Sequence, residues 1–283
     1  NYDGYTRGTW HFSDSGQVFA DLMYGLDHIQ NNTRGPTFTS PDFINQNSGN
    51  LERWYRRYGE EEIGGRTSNN SKWTDTSWTG TLGLSDKIAD TGWRYDLAAN
   101  RSEYRSVRTT RYTPLSSIQD FYLGPQLGTR DGYPVFAPDA SRLDRPLTPQ
   151  EWEQFRSNLT QRSKSVSTSY NASINGDLFD LPAGPVGFAG VLEAGKQEYR
   201  VDPDDGLNDG TFYGVSPAQS SGGSRKRYAA GGEFSIPVTD TVLATAAGRW
   251  DQYKFSGRSE QQKTYNLGLE WRPITSLLLR GSY

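Results

Sequence analysis

The sequence predicts an all-β chain: an antiparallel β-barrel that crosses a membrane with its strands. Three observations carry this. Segments of alternating polarity recur along the chain, the links between them alternate between short and long, and no apolar run approaches the roughly 20 residues that a membrane-spanning helix needs. The 283 residues hold 30 Lys+Arg against 33 Asp+Glu, a net charge of -3, which excludes a basic nucleic-acid arm and an acidic disordered tail. Aromatic residues make up 13% of the chain (8 Trp, 17 Tyr, 12 Phe), yet the mean hydropathy is -0.79, so the rings need an amphipathic setting. With no cysteine and one methionine, a disulfide-stapled module, a cysteine zinc site and thiol chemistry are ruled out. No cofactor or metal is called for. The chain opens with Asn1-Tyr2-Asp3-Gly4, without an initiator Met or a signal-peptide pattern, and reads as a piece of something longer.

The elements follow in order. Trp10 and Phe12 alternate with Thr9 and His11, and Ser13-Asp14-Ser15-Gly16 turns the chain into Val18, Ala20, Leu22 and Tyr24. Trp78, Gly80, Leu82 and Leu84 make the next strand, which returns through Trp93, Tyr95, Leu97 and Ala99. Val166, Thr168, Tyr170, Ala172 and Ile174 interleave with Ser165, Ser167, Ser169, Asn171 and Ser173, a strand with one wet face. Its partner runs from Val186 to Ala194 across the turn Asp180-Leu181-Pro182-Ala183-Gly184-Pro185. Tyr228 to Ile236 pairs with Val242 to Trp250 across Pro237-Val238-Thr239-Asp240-Thr241. Last, Tyr265, Leu267, Leu269 and Trp271 alternate with Asn266, Gly268 and Glu270, and Pro273-Ile274-Thr275 leads into Leu277, Leu279, Gly281 and Tyr283. That is about ten strands in five hairpins, each of about 9–11 residues, the length a tilted strand needs to cross a bilayer.

Alternation alone marks a half-buried strand, whether its apolar face meets a core or lipid, so a soluble β-sandwich fits any single segment. The links favour the barrel. Turns after odd strands are short, whereas about 48 residues follow Asp27, roughly 60 follow Arg105, about 24 follow Arg200, and a shorter stretch follows Tyr253. Short periplasmic turns at one rim and long extracellular loops at the other are the mark of membrane barrels. Trp93, Tyr95, Trp271, Tyr283, Trp250, Tyr228 and Tyr170 lie near strand ends, as girdle residues do at lipid headgroups.

Three segments resemble the TonB-dependent receptors, a family of bacterial outer-membrane transporters: Phe179-Asp180-Leu181-Pro182-Ala183-Gly184-Pro185-Val186-Gly187-Phe188-Ala189-Gly190, then Ala246-Ala247-Gly248-Arg249-Trp250-Asp251-Gln252-Tyr253, and Tyr265 to Pro273 with Leu279-Arg280-Gly281-Ser282-Tyr283. The resemblance implies a location in the outer membrane and a barrel of about 22 strands. Residues 1–283 would then be the middle part of that barrel, lacking the plug, the TonB box and the C-terminal strands. It also implies transport of a scarce ligand (a ferric siderophore, cobalamin, an oligosaccharide or a peptide), outer-membrane lipid as surroundings, and energy from the TonB complex through the missing plug. No nucleic acid is expected as a partner. Two other readings stay open: a ten-stranded surface protease of the omptin type, for which only His11 and His28 exist and Asp27-His28 lies near an outer rim, and a soluble sugar-binding β-sandwich.

Within the long loops Trp54-Tyr55-Arg56-Arg57-Tyr58 interleaves rings and guanidinium groups that could grip an anionic or sugar-like ligand; a strand extended above the membrane explains the same residues. Arg7, Asp21, Arg94, Asp96, Glu193, Arg249, Asp251, Glu270 and Arg280 would be costly against lipid and are expected to face a wet interior or a plug. Thr148-Pro149-Gln150-Glu151 has the pattern of a capped helix start, with Trp152 and Phe155 on one side. Asp202 to Gly210 is a weak match to a calcium loop, with Tyr213 where the closing Glu would fall, and Asx turns account for it equally well.

Overall fold

A computed structural model describes residues 1–32, 36–209, 212 and 215–283. Ten strands form one antiparallel sheet: β1 (Tyr2–His11), β2 (Gln17–Asn31), β7 (Ser71–Lys87), β8 (Arg94–Tyr112), β11 (Ser157–Leu181), β12 (Gly184–Asp202), β13 (Ser221–Thr239), β14 (Val242–Phe255), β15 (Arg258–Ile274) and β16 (Leu277–Ser282), paired in that order. The sheet is open, with β1 and β16 at its edges. The remaining elements belong to the links. Between β2 and β7 lie β3 (Thr37–Thr39), β4 (Phe43–Asn45), β5 (Leu51–Glu52) and β6 (Tyr55–Arg57). Between β8 and β11 lie α1 (Leu115–Leu123), β9 (Gly128–Arg130), β10 (Tyr133–Phe136), α2 (Ser141–Asp144) and α3 (Pro149–Gln154).

Register, not composition alone, separates the two faces. One row joins Ala20, Leu82, Ala99, Tyr170, Ala194 and Tyr228 across six strands. The row beside it, on the opposite face, joins Thr81, Asn100, Ser169, Gly195, Arg227 and Tyr253. A one-residue slip anywhere would exchange the two sets, so the alternation holds the pairing in place. The apolar face is uncovered: Leu192 is 62% exposed, Leu82 57% and Leu267 53%. No second sheet stacks on it among the described residues, which is the opposite of a sandwich and the arrangement that a lipid-facing sheet requires.

Two expectations change. Except for β1 and β16, with 10 and 6 residues, the strands are longer than 9–11 residues, up to 25 in β11, because their polar ends continue the ladder into the long-loop rim, where water satisfies side chains and backbone pairing still lowers the free energy. The link after Tyr253 is also no loop. Strand β14 runs on to Phe255, and Ser256-Gly257, at φ 38° and 80°, make a two-residue turn into β15; positive φ at both positions is the turn whose twist matches a hairpin. The other links on that side remain long, at 32–70, 113–156 and 203–220.

On the polar face the ring of Phe19 lies over Gly83, its cross-strand partner, with the Arg7 guanidinium 4.4 Å from the ring centroid. A methyl group at Gly83 would stand 2.2 Å from two Phe19 ring carbons, whereas one at Gly80 on the apolar face has its nearest neighbour at 3.7 Å. Gly83→Ala is therefore expected to cost about 1 kcal/mol, from overpacking or a displaced Phe19 ring, and Gly80→Ala almost nothing. Urea unfolding from liposomes checks this, and equal midpoints for the two variants would refute it.

Candidate functional site

The buried apolar core lies in the links rather than in the sheet. Phe38, Phe43, Trp54, Tyr58 and Ile63 from the first long link pack with Ile118, Tyr122, Leu123, Phe136, Leu147, Trp152 and Phe155 from the second. The two links are sewn together: β10 pairs in parallel with β4 through Val135↔Ile44 and Phe136↔Asn45, completing a four-stranded sheet in the order β5-β4-β10-β9. Phe38 stacks on Tyr122 with ring centroids 4.5 Å apart, and Phe43 meets Trp54 and Phe136 edge-on at 5.7 and 5.8 Å. Such ring pairs add to area burial, so these links form a folded cap at the loop rim.

α3 closes the cap by the route the sequence pattern anticipates. The Thr148 hydroxyl accepts the Glu151 backbone N–H at 3.2 Å, and the Glu151 carboxylate accepts the Thr148 N–H at 2.9 Å, a reciprocal capping box. The Arg145 guanidinium, then the Thr148 backbone, hold the Glu151 carboxyl down at about 2. This fixes Trp152, only 1% exposed, against Tyr58, with ring centroids 4.5 Å apart. Burial draws Arg156 down to about 10, helped by nearby Arg111, while its guanidinium donates to Asn69 Oδ1 at 2.7 Å.

The Trp54–Tyr58 segment is divided by this packing. Trp54 and Tyr58 are core residues; the indole of Trp54 donates to Glu52 at 2.8 Å, and burial pushes the Tyr58 phenol far above its usual range. Arg56 points inward with them, pairing with Glu62 and donating to the Tyr122 hydroxyl at 2.6 Å. Glu62 also accepts the Leu147 backbone N–H at 2.8 Å, so this ion pair bridges both links. Tyr55 and Arg57, on the other face of β6, are exposed, Tyr55 by 57%. Strand β6 pairs with β3 and does not continue a strand of the ten-stranded sheet.

All seven of Arg94, Asp96, Glu193, Arg249, Asp251, Glu270 and Arg280 stand on the polar face by register. Three of them meet: Arg249 bonds Glu193 at 2.8 Å and Asp251 at 2.8 Å. Arg227 completes the group, 2.9 Å from Glu193 and 3.0 Å from Asp251. Arg227 was not singled out in the sequence, although its place between Lys226 and the apolar-face Tyr228 gives its direction. Glu270 and Arg280 are direct cross-strand partners, Arg7 reaches Asp21 at 3.6 Å, and Arg94 and Asp96 oppose Asn175 and Ser173. Arg94 also stands opposite Lys87, but the other cations named here each have an acidic residue beside them or across the strand, the pattern of a wet surface.

A protease-like site does not assemble around Asp27-His28. Adjacent residues of a strand face opposite sides: Asp27 pairs with Asp75 on the polar face, while His28 Nδ1 lies 3.3 Å from the Thr74 hydroxyl on the other. In the 202–210 segment, Asp202 is taken by Arg200 at 2.7 Å, and Asp204 accepts the backbone N–H groups of Gly206 and Thr160 at 3.1 and 2.8 Å, an Asx arrangement. Gly210 and Tyr213, part of the calcium-loop comparison, lie outside the described residues.

Comparison with known proteins adds to this geometry. The family model described as TonB dependent receptor-like, beta-barrel, matches residues 3–283. Among solved structures, FpvA of P. aeruginosa bound to heterologous pyoverdines is similar over 96% of this chain and 33% of its own, at 12% identity and a TM-score of 0.54. The ferripyoverdine receptor of the Pseudomonas aeruginosa outer membrane, bound to ferripyoverdine, is similar over 95% of this chain and 33% of its own, at 12% identity and a TM-score of 0.54. FpvAI in its complex with pyocin S2 gives 99%, 34%, 12% and 0.54 for the same quantities. At such identity the likeness is one of fold, and the chain spans about a third of the length of these receptors. No curated protein matches it.

Proposed function

Because this chain belongs to the TonB-dependent receptor β-barrel family, we propose that it forms the ligand-meeting part of a transporter that takes up an iron chelate. Its place is the bacterial outer membrane, and its family is one of receptors rather than enzymes. Energy for uptake would come from the TonB complex through a plug that fills the barrel and meets the polar face, including the Glu193–Arg227–Arg249–Asp251 group.

The observation that carries the reading is the folded cap at the loop rim. Binding groups concentrate on loops held by a rigid scaffold, and here two of the long links share one buried core, so Tyr55 and Arg57 are presented by a paired strand instead of having to be ordered by the ligand. An exposed phenol beside a guanidinium suits an anionic chelate with planar groups, through stacking and charge-assisted bonds. An iron chelate is favoured over a saccharide, a peptide or cobalamin because the structural neighbours bind ferripyoverdine.

Tryptophan fluorescence of the full receptor, titrated with a panel of ferric siderophores and with defined oligosaccharides and peptides, tests this. Saturable quenching by a ferric chelate is expected, weakened about tenfold by Tyr55→Ala with Arg57→Ala, as for the loss of one good polar and one ring contact. Saturation by an oligosaccharide or peptide alone would replace the iron-chelate assignment.

A further inference from the structure

Three lysines stand directly opposite one another on the apolar face. The register pairs Lys196 with Lys226 and Lys226 with Lys254 on the neighbouring strands β12, β13 and β14, and Arg101 joins the same row two strands along through Thr168. Like charges directly across a sheet repel. Glu198 relieves Lys196 at 2.6 Å, but Lys226 and Lys254 have no acidic partner among the described residues. Lys254 lies 5.6 Å from the centroid of the Tyr228 ring, which turns the cation toward the aromatic belt.

Directly on the membrane side of this row the same face holds an apolar groove of about 740 Å³ lined by Leu97, Tyr170, Leu192, Ala194, Tyr228 and Trp250. Cationic groups at one end of an apolar groove, on a face that looks into the bilayer, match a molecule with an anionic head and acyl chains. We propose that Lys196, Lys226 and Lys254 hold the phosphate of an outer-leaflet lipid whose chains lie along this groove. The assignment rests on the outer-membrane barrel reading and adds a particular lipid site to it. A lipid phosphate fits better than a free one because the groove would otherwise face only mobile chains, and because lysine on a flexible stem serves as a point charge for phosphate at a headgroup depth.

The test uses the full receptor purified in a neutral detergent and examined by native mass spectrometry with added phosphatidic acid, with diacylglycerol, which differs by the missing phosphate, or with inorganic phosphate. Retention of phosphatidic acid well above diacylglycerol is expected, falling about tenfold in Lys196→Gln/Lys226→Gln/Lys254→Gln. Equal retention of the two lipids, or of phosphatidic acid by parent and triple variant, would overturn the proposal, as would displacement of the lipid by inorganic phosphate at matched concentration. Lys254→Gln alone, with one charge removed, gives an intermediate loss if the triple variant does not fold. Recovery of the receptor in the aqueous fraction without detergent would instead overturn the barrel reading itself.

Discussion

Trp152→Ala is expected to cost the loop cap about 3–5 kcal/mol, the range for removing a large ring from a packed core. Trp152 contacts Tyr58 and Phe155 and sits at the point where α3 closes the two links, so its removal leaves a cavity between them. The ten-stranded sheet draws none of its pairing from this residue, and the barrel should insert as before. Hydrogen exchange resolved to segments separates the two outcomes. Fast exchange in 36–70 and 113–156 with unchanged protection in β12 to β15 is expected, together with loss of ligand binding. Uniform loss of protection would show that the cap and the sheet are one cooperative unit.

Leu267→Arg should destabilise the inserted receptor by about 2–4 kcal/mol near the bilayer midplane, and Leu279→Arg by a similar amount, less toward the edge. Both leucines are on the uncovered apolar face, where a guanidinium must leave water for hydrocarbon or drag a defect into it. Asn266→Arg changes the adjacent residue on the polar face, opposite Ala247, and should be far milder. Folding titrations into liposomes give the order directly, and a larger cost at Asn266 would reverse the assignment of inside and outside.

The sheet was legible because its signal is local. Tyr265, Leu267, Leu269 and Trp271 declare a face within nine residues, and the observed ladder keeps that face from β1 to β16. The cap was not legible, since Phe38, Phe43, Tyr122 and Trp152 follow no period of 2 or 3.6 and meet only through contacts between segments far apart in sequence. The Trp54–Tyr58 stretch could be recognised as unusual, but which rings turn inward depends on Glu62 and Tyr122, which lie outside it. Two features had readable signals that were passed over: Ser256-Gly257 is a turn-forming pair, and Arg227 has the parity of a polar-face residue. The row of Lys196, Lys226 and Lys254 needed the register, because spacing within one strand does not say which residues of its neighbours lie alongside.

The parallel pairing of β4 with β10 has a bearing on how such a surface can be altered by exchange of segments. Each link supplies half of one interior, so a chimera that receives 36–70 without 113–156 would bring Phe43 and Trp54 to a host with nothing to cover them. Transplanted together, the pair carries its own interior and needs from the recipient only four strand ends at matching spacing. Divergence of specificity by recombination would then proceed in two-link blocks, while point changes at outward positions such as Tyr55 and Arg57 remain free to drift within a block.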